Sequence, residues 1–321
     1  MAEYLSSHPA IYMPTKDMHF FGADLQFGRR FYRRDLQAYL AEYSRWNGQG
    51  RAGDASVWYL FSRTAAGEIK AFNSDSSIII MLREPVEMLY SLYHQLRYDA
   101  NEHLPTFEAA LAAENDRQAG QRLCRGAYFS QGLAYRGIAR YTEQVRRYFD
   151  TFGRDRVRVV TYDELAASAH ETYRGTLEFL GVDTTHQPES FRVINGNKSV
   201  RSRMLRGILT DPCLRSSAIS AARRMGRRAF ILLRRMEARL WALNTRWTKR
   251  PPLDPRLRAQ LEKEFAPEVE RLSILLGRDL TYWSQEQEPI ANGSRADGIH
   301  QQRSVRIRLN SDELSEPRTL T

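Results

Sequence analysis

Arg83 and Ser91 are the residues whose types and spacing most directly invite chemistry. Ile78 to Leu82 is an unbroken apolar run of strand length, rich in β-branched side chains, and it ends abruptly on Arg83. A buried strand that ends in this way delivers a guanidinium to the carboxyl edge of a sheet. Pro85 suits the first turn of a helix, which places Ser91 about two helical turns beyond Arg83. Cation and hydroxyl can then converge on one anion in the crevice where open α/β sheets take their ligands. A plain strand-to-helix turn with a surface arginine gives the same local pattern, so strand chemistry alone leaves both readings open.

The elements around this segment alternate. A helix ending near Ser7, a loop through Phe21 and a helix around Arg33 to Trp46 precede expected strands at Val57 to Phe61 and at Ile78. Helices are expected from Val86 to about Asp99 and from Leu133 to Phe152, then a strand from Val157 to Tyr162. Glu171 to Leu180 reads as a helix closed by Gly181, and Gln187 to Arg203 as a polar loop. Pro251, Pro252 and Pro255 precede a last helix, Arg256 to Leu276, which Gly277 closes. Strands alternating with helices predict an α/β fold with a parallel sheet flanked by helices and a helical C-terminal part. The expected organisation is a core over residues 1–205, basic and C-terminal helices packing on it over 206–284, and a polar, disordered tail over 285–321.

The 321 residues, 42 % hydrophobic and 11 % aromatic, are globular in composition. No run approaches the roughly 18 apolar residues of a membrane span, and the first residues lack a signal-peptide pattern, so a cytoplasmic location is expected. Cys124 and Cys213 are too few for a disulfide framework and read as reduced, structural residues. The formal charge of +10 is concentrated between Arg215 and Arg250, where eleven cations face the single acid Glu237. Interleaved with Leu232, Met236, Trp241 and Leu243, these cations predict a helix with one apolar and one cationic side. Such a helix can lie on an anionic membrane, or simply pack on the core with a solvated basic face. Nucleic acid is not expected, because no recognised binding motif accompanies the charge.

Arg83-x-Pro85 followed by Ser91-x-Tyr93 resembles the 3′-phosphate-binding segment of sulfotransferases that use 3′-phosphoadenosine 5′-phosphosulfate (PAPS). Further segments resemble bacterial members in the same order. Lys16-Asp17-Met18-His19-Phe20-Phe21 is similar to a Lys-Glu-x-His-Phe-Phe segment shared with the heparan sulfate branch, and Gly53-Asp54-Ala55-Ser56 with Tyr59 and Leu60 to a Gly-Glu-x-Ser-Pro-x-Tyr-Leu segment. Phe179 to Val182, and Leu276 to Leu280 with Trp283, also match, so the resemblance runs from Tyr4 to Trp283. It implies a P-loop nucleotide-kinase-like fold in which Arg83 and Ser91 grip the 3′-phosphate of PAPS, with no metal. It also implies that Asp17 is the catalytic base, as sulfuryl transfer to a poorly nucleophilic alcohol requires. A loop aspartate that only bonds the backbone is the alternative. His19 reads as a core-edge residue or an acceptor contact. Lys198 and Arg201 lie in a segment similar to the basic loop that closes over PAPS, although an ordinary solvated basic loop fits as well.

Two departures shape the expectation. The family's Pro-Lys-x-Gly-Thr-Thr loop, which holds the 5′-phosphosulfate at a helix N-terminus, has no counterpart here. The sequence therefore reads as an N-terminally truncated sulfotransferase, or as an impaired nucleotide-binding or membrane-associated module. Ala55 stands where heparan-modifying relatives place a catalytic lysine, which favours a different saccharide, a lipid-linked sugar or another small hydroxyl acceptor. A nucleoside or shikimate-type kinase shares the fold class but needs a phosphate loop and a magnesium ligand, and neither is visible. The oligomeric state is not legible.

Overall fold

The computed structural model describes residues 1–14, 17–28, 34–123, 128–191 and 198–285. Met1–Gln285 form one compact unit. The tail expected from residue 285 lies, after that residue, outside the described residues.

The chain begins with α1 (Ala2–Leu5), β1 (Ile11–Tyr12), α2 (Leu36–Ala41), β2 (Arg51–Ala52), α3 (Ala65–Phe72), β3 (Ile78–Leu82) and α4 (Pro85–Tyr98). Helices α5 (Phe107–Ala112), α6 (Glu114–Gln118), α7 (Tyr135–Ile138) and α8 (Tyr141–Phe152) lead to β4 (Val157–Thr161), α9 (Tyr162–Ala167) and α10 (Ala169–Leu180). The rest comprises β5 (Lys198–Val200), α11 (Arg203–Thr210), α12 (Pro212–Arg224), α13 (Arg227–Asn244), β6 (Thr245–Trp247) and α14 (Pro255–Leu276).

Strands β3 and β4 pair in parallel, Ile78 opposite Val157 through Leu82 opposite Thr161. Ile80, Leu82 and Val157 pack on Val145 and Tyr148 of α8 and Leu272 of α14, while Ile79 meets the cluster of Tyr4, Ile11, Tyr173 and Leu177. Helices thus cover both faces of the pair, as the alternating pattern predicts. The pairs β1–β2, parallel, and β5–β6, antiparallel, are separate two-stranded sheets.

Helix α4 sets the geometry of everything that follows. The Glu84 carboxylate caps it, accepting from the Val86 and Glu87 amides at 2.6 and 2.8 Å, and Pro85 opens its first turn. Val86, Leu89, Tyr93 and Leu96 are buried against Phe107, Leu111, Leu261 and Phe265. Each such side chain is worth about 1.5–3 kcal/mol of transfer free energy, which fixes the rotation of the helix. Glu87, Ser91, His94 and Tyr98, at spacings of four, three and four, therefore share its other face.

Several local expectations are corrected. Val57 to Phe61 is a series of turns, because the Tyr59 amide bonds to the Ser56 carbonyl and the Ser62 amide to the Trp58 carbonyl, curling the backbone. The helix expected over Leu133 to Phe152 is broken, with α7 ending at Ile138 and α8 starting at Tyr141. Lys198 to Val200, expected in a loop, pairs with β6. Cys213 is free but exposed on α12 rather than packed, and Cys124 lies outside the described residues. Gly181 and Gly277 close α10 and α14 with φ of 64° each, the left-handed conformation that glycine permits. Among the described residues no helix is long and apolar enough to cross a membrane.

Candidate functional site

Because Leu82 is paired with Thr161, the residues that follow them, Arg83 and Tyr162, leave the same sheet edge side by side. The Arg83 guanidinium lies over the Tyr162 ring, 4.8 Å from its centroid. It also donates to Glu87 Oε2 at 3.1 Å, one turn into α4. Ser91, a further turn along, accepts a 2.9 Å hydrogen bond from Arg250 Nη2. Arg250 reaches Glu87 Oε2 at 3.5 Å and lies 5.6 Å from the Tyr90 ring centroid. Arg258 of α14 also binds Glu87, and approaches Glu262 at 3.3 Å and Glu84 at 3.8 Å. Arg83 and Ser91 are thus brought into one cluster, with Glu87 as the carboxylate that Arg83, Arg250 and Arg258 share.

The cluster crowds like charges together. Burial, then the neighbouring Arg83 charge, pulls the Arg250 pKa down, so these two guanidiniums feel each other's field. Arg250 Nε is buried and without a partner among the described residues. An oxyanion beside Ser91 would relieve the repulsion and offer an acceptor to that donor. His94, the next residue on this face of α4, is pushed down to about 4 by burial and by Arg250 and Arg97, so it is neutral near pH 7. Burial raises Glu84 to about 7, against the opposing pull of its two amide hydrogen bonds and Arg258.

Lys198 stands on β5 with its ammonium 5.0 Å from the Trp247 ring centroid. The β5–β6 pair is tied to α4 where Tyr98 and Thr245 hydroxyls meet at 2.7 Å. Arg201 follows β5 with its amide on the Asn244 carbonyl at 2.8 Å, but its exposed side chain makes none of the hydrogen bonds that knit the arginine cluster. Residues 195–197, which open the expected nucleotide-covering loop, lie outside the described residues, as does Lys16.

Asp17 occupies a loop held in an uncommon shape. It and His19 have φ of 59° and 48°, left-handed conformations that cost roughly 1 kcal/mol or more each. Three bonds impose them: Asp17 N–H to the Ala55 carbonyl at 3.0 Å, His19 N–H to Ser56 Oγ at 3.0 Å, and Val57 N–H to Asp17 Oδ1 at 3.3 Å. The result is a half-exposed carboxylate 3.8 Å from His19 Nε2, whose ring stacks on Phe27. Burial lowers the His19 pKa more than Asp17 raises it, so the imidazole is neutral near pH 7. A half-exposed carboxylate beside a neutral imidazole is equipped to accept a proton. The Asp99 carboxyl links this loop to Lys198: burial raises its pKa, the Lys198 charge opposes that, and the Asp17 charge adds to it.

Sequence reasoning missed Arg250, Glu87 and Asp54. Asp54 is the hub under the Asp17 loop, accepting from Ser56 at 2.7 Å, Tyr59 at 2.7 Å and Tyr39 at 3.3 Å. Only its place between Gly53 and Ser56 hinted at this. Arg250 carried no local signal, being one cation in a basic run.

The family model described as sulfotransferase domain matches residues 63–215, which include β3, Arg83, Ser91, β4 and Lys198. A solved sulfotransferase from Alicyclobacillus acidocaldarius is similar over 88 % of this chain and 92 % of its own, with 29 % identity and a TM-score of 0.63. No curated protein matches. With helices on both faces of a parallel strand pair, and cations gathered where those strands end, residues 63–215 match a sulfotransferase domain and the fold is similar to that of a solved sulfotransferase.

Proposed function

We propose that the protein transfers a sulfuryl group from PAPS to a hydroxyl of a saccharide, a lipid-linked sugar or another small acceptor. The observation that carries this reading is the convergence of Arg83, Arg250 and the Ser91 hydroxyl at the carboxyl edge of β3. Two guanidiniums in mutual repulsion, a hydroxyl and an unpartnered buried N–H suit a phosphate dianion, such as the 3′-phosphate of the nucleotide. Lys198 and Arg201 would add positive charge over the nucleotide from β5 and the residue that follows it.

In this scheme Asp17 takes the proton of the acceptor hydroxyl as its oxygen attacks sulfur. The new bond joins acceptor oxygen to sulfur, the bond from sulfur to the phosphate oxygen breaks, and 3′-phosphoadenosine 5′-phosphate leaves with the electron pair. His19 limits the orientation of the carboxylate, and Ser56 and Asp54 hold the loop behind it. The test combines calorimetry with turnover. Arg83→Ala should abolish binding of 3′-phosphoadenosine 5′-phosphate. Asp17→Asn should leave that binding intact and lower acceptor-dependent turnover by roughly 10²–10⁴-fold. Unchanged turnover in Asp17→Asn removes the base assignment, and nucleotide binding that ignores Arg83 removes the phosphate site.

A further inference from the structure

Helix α13 is packed on one side only. Leu233, Glu237, Leu240, Trp241 and Asn244 are buried or half-buried, which turns the opposite side to solvent. That side is not uniformly polar. Leu232, Met236 and Leu243 are 67 %, 52 % and 70 % exposed, and with Arg239 they stand at spacings of four, three and four. At 100° per residue those positions fall within about 60° of arc, a continuous apolar stripe with a cation inside it. Arg228 and Arg235, both exposed, flank the stripe along one side. Trp247, 62 % exposed on β6, follows three residues past the helix end.

We infer that this face of α13 docks on an anionic lipid surface, with the helix lying in the plane of the headgroups. Its 18 residues give about 27 Å of contact, and the arrangement of apolar side chains at the centre and arginines beside them is that of an interfacial helix. Arginine stems lie along the acyl boundary while the guanidiniums reach lipid phosphates. Charge argues against a second copy of this chain, because pairing two such stripes would place Arg239, Arg228 and Arg235 against one another with no acid in the stripe. A soluble polyanion satisfies the arginines but gives the three apolar side chains nothing. Glu237, the single acid between Arg215 and Arg250, is on the packed side and engaged with Arg234 at 2.5 Å. This surface is independent of the sulfuryl-transfer reading.

The test is flotation of the full chain with vesicles of phosphatidylcholine alone or mixed equally with phosphatidylglycerol. Binding should require phosphatidylglycerol and weaken as salt is raised. The triple variant L232S/M236S/L243S, at exposed positions, should melt like the parent protein and bind the mixed vesicles about tenfold more weakly or worse. R228Q/R235Q/R239Q should lose most of the binding and its salt dependence. Failure of the parent protein to float with the mixed vesicles overturns the proposal. So does equal binding by the serine variant, which would mark a purely Coulombic attraction, or self-association of the parent that the serine variant abolishes, which would assign the stripe to a second copy.

Discussion

Glu87→Gln is expected to move stability and nucleotide affinity in opposite directions. In the folded chain the Glu87 carboxylate is shared by Arg83 at 3.1 Å, Arg250 at 3.5 Å and Arg258. All four side chains are 20–31 % exposed, so each pairing is worth on the order of 0.5–1 kcal/mol rather than its full Coulomb energy. Glutamine keeps one acceptor oxygen and loses the charge. The expected loss is therefore about 1–2 kcal/mol, seen as a fall of roughly 2–6 °C in the melting temperature. The same carboxylate competes for the guanidiniums that would hold a nucleotide phosphate, and it repels that phosphate. With partial exposure and physiological salt, removing it should favour the dianion by about 1–2 kcal/mol, roughly a tenfold lower Kd for 3′-phosphoadenosine 5′-phosphate. Differential scanning fluorimetry with and without nucleotide, beside calorimetry, reads both quantities on one preparation. A variant that is less stable and also binds more weakly refutes the reasoning, because Glu87 would then be ordering the arginines for the ligand rather than occupying them in its place.

Arg250→Ala should weaken nucleotide binding about 10- to 100-fold by calorimetry, and Ser91→Ala by several-fold, since a charged hydrogen bond is worth roughly 1.5–3 kcal/mol and a neutral one about 1 kcal/mol. Glu84 makes stability fall as pH rises. The unfolded carboxyl ionises at the ordinary 4.5 and the folded one at about 7, so between them the folded chain keeps a proton that the unfolded chain has lost. The slope spans about 3 kcal/mol at most, and urea melts of Glu84→Gln across this pH range should flatten it. Asp54→Ala leaves the Tyr59 and Tyr39 hydroxyls and Ser56 without their shared acceptor. It should cost about 2–4 kcal/mol in chemical denaturation, and it should lower turnover more than nucleotide affinity because the Asp17 loop rests on it.

The arginine-to-serine segment was legible in the sequence because its information is local. A β-branched run, a proline at N1 and a helical spacing define strand, turn and helix without help from distant residues. Gly181 and Gly277 are legible for the same reason. What escaped depends on tertiary contact. Arg250 lies 159 positions from the Ser91 hydroxyl it binds, and its neighbours in sequence are other cations. Val57 to Phe61 has strand-like composition, yet the side-chain bonds from Ser56 and Tyr59 to Asp54 draw the backbone into turns. Lys198 to Val200 is too short and polar to announce a strand, and becomes one because β6 offers its edge.

Only Thr248 and Lys249 separate the end of β6 from Arg250, and β6 follows α13 without a break. The helix and the cation on Ser91 are consequently two ends of one short lever, braced on α4 through the Tyr98–Thr245 bond. Thermodynamic reciprocity then binds the two sites: if seating α13 on a surface reorients Arg250 and changes nucleotide affinity by some factor, nucleotide changes surface affinity by the same factor. A factor above one would make nucleotide and surface bind together, and a factor below one would make each displace the other.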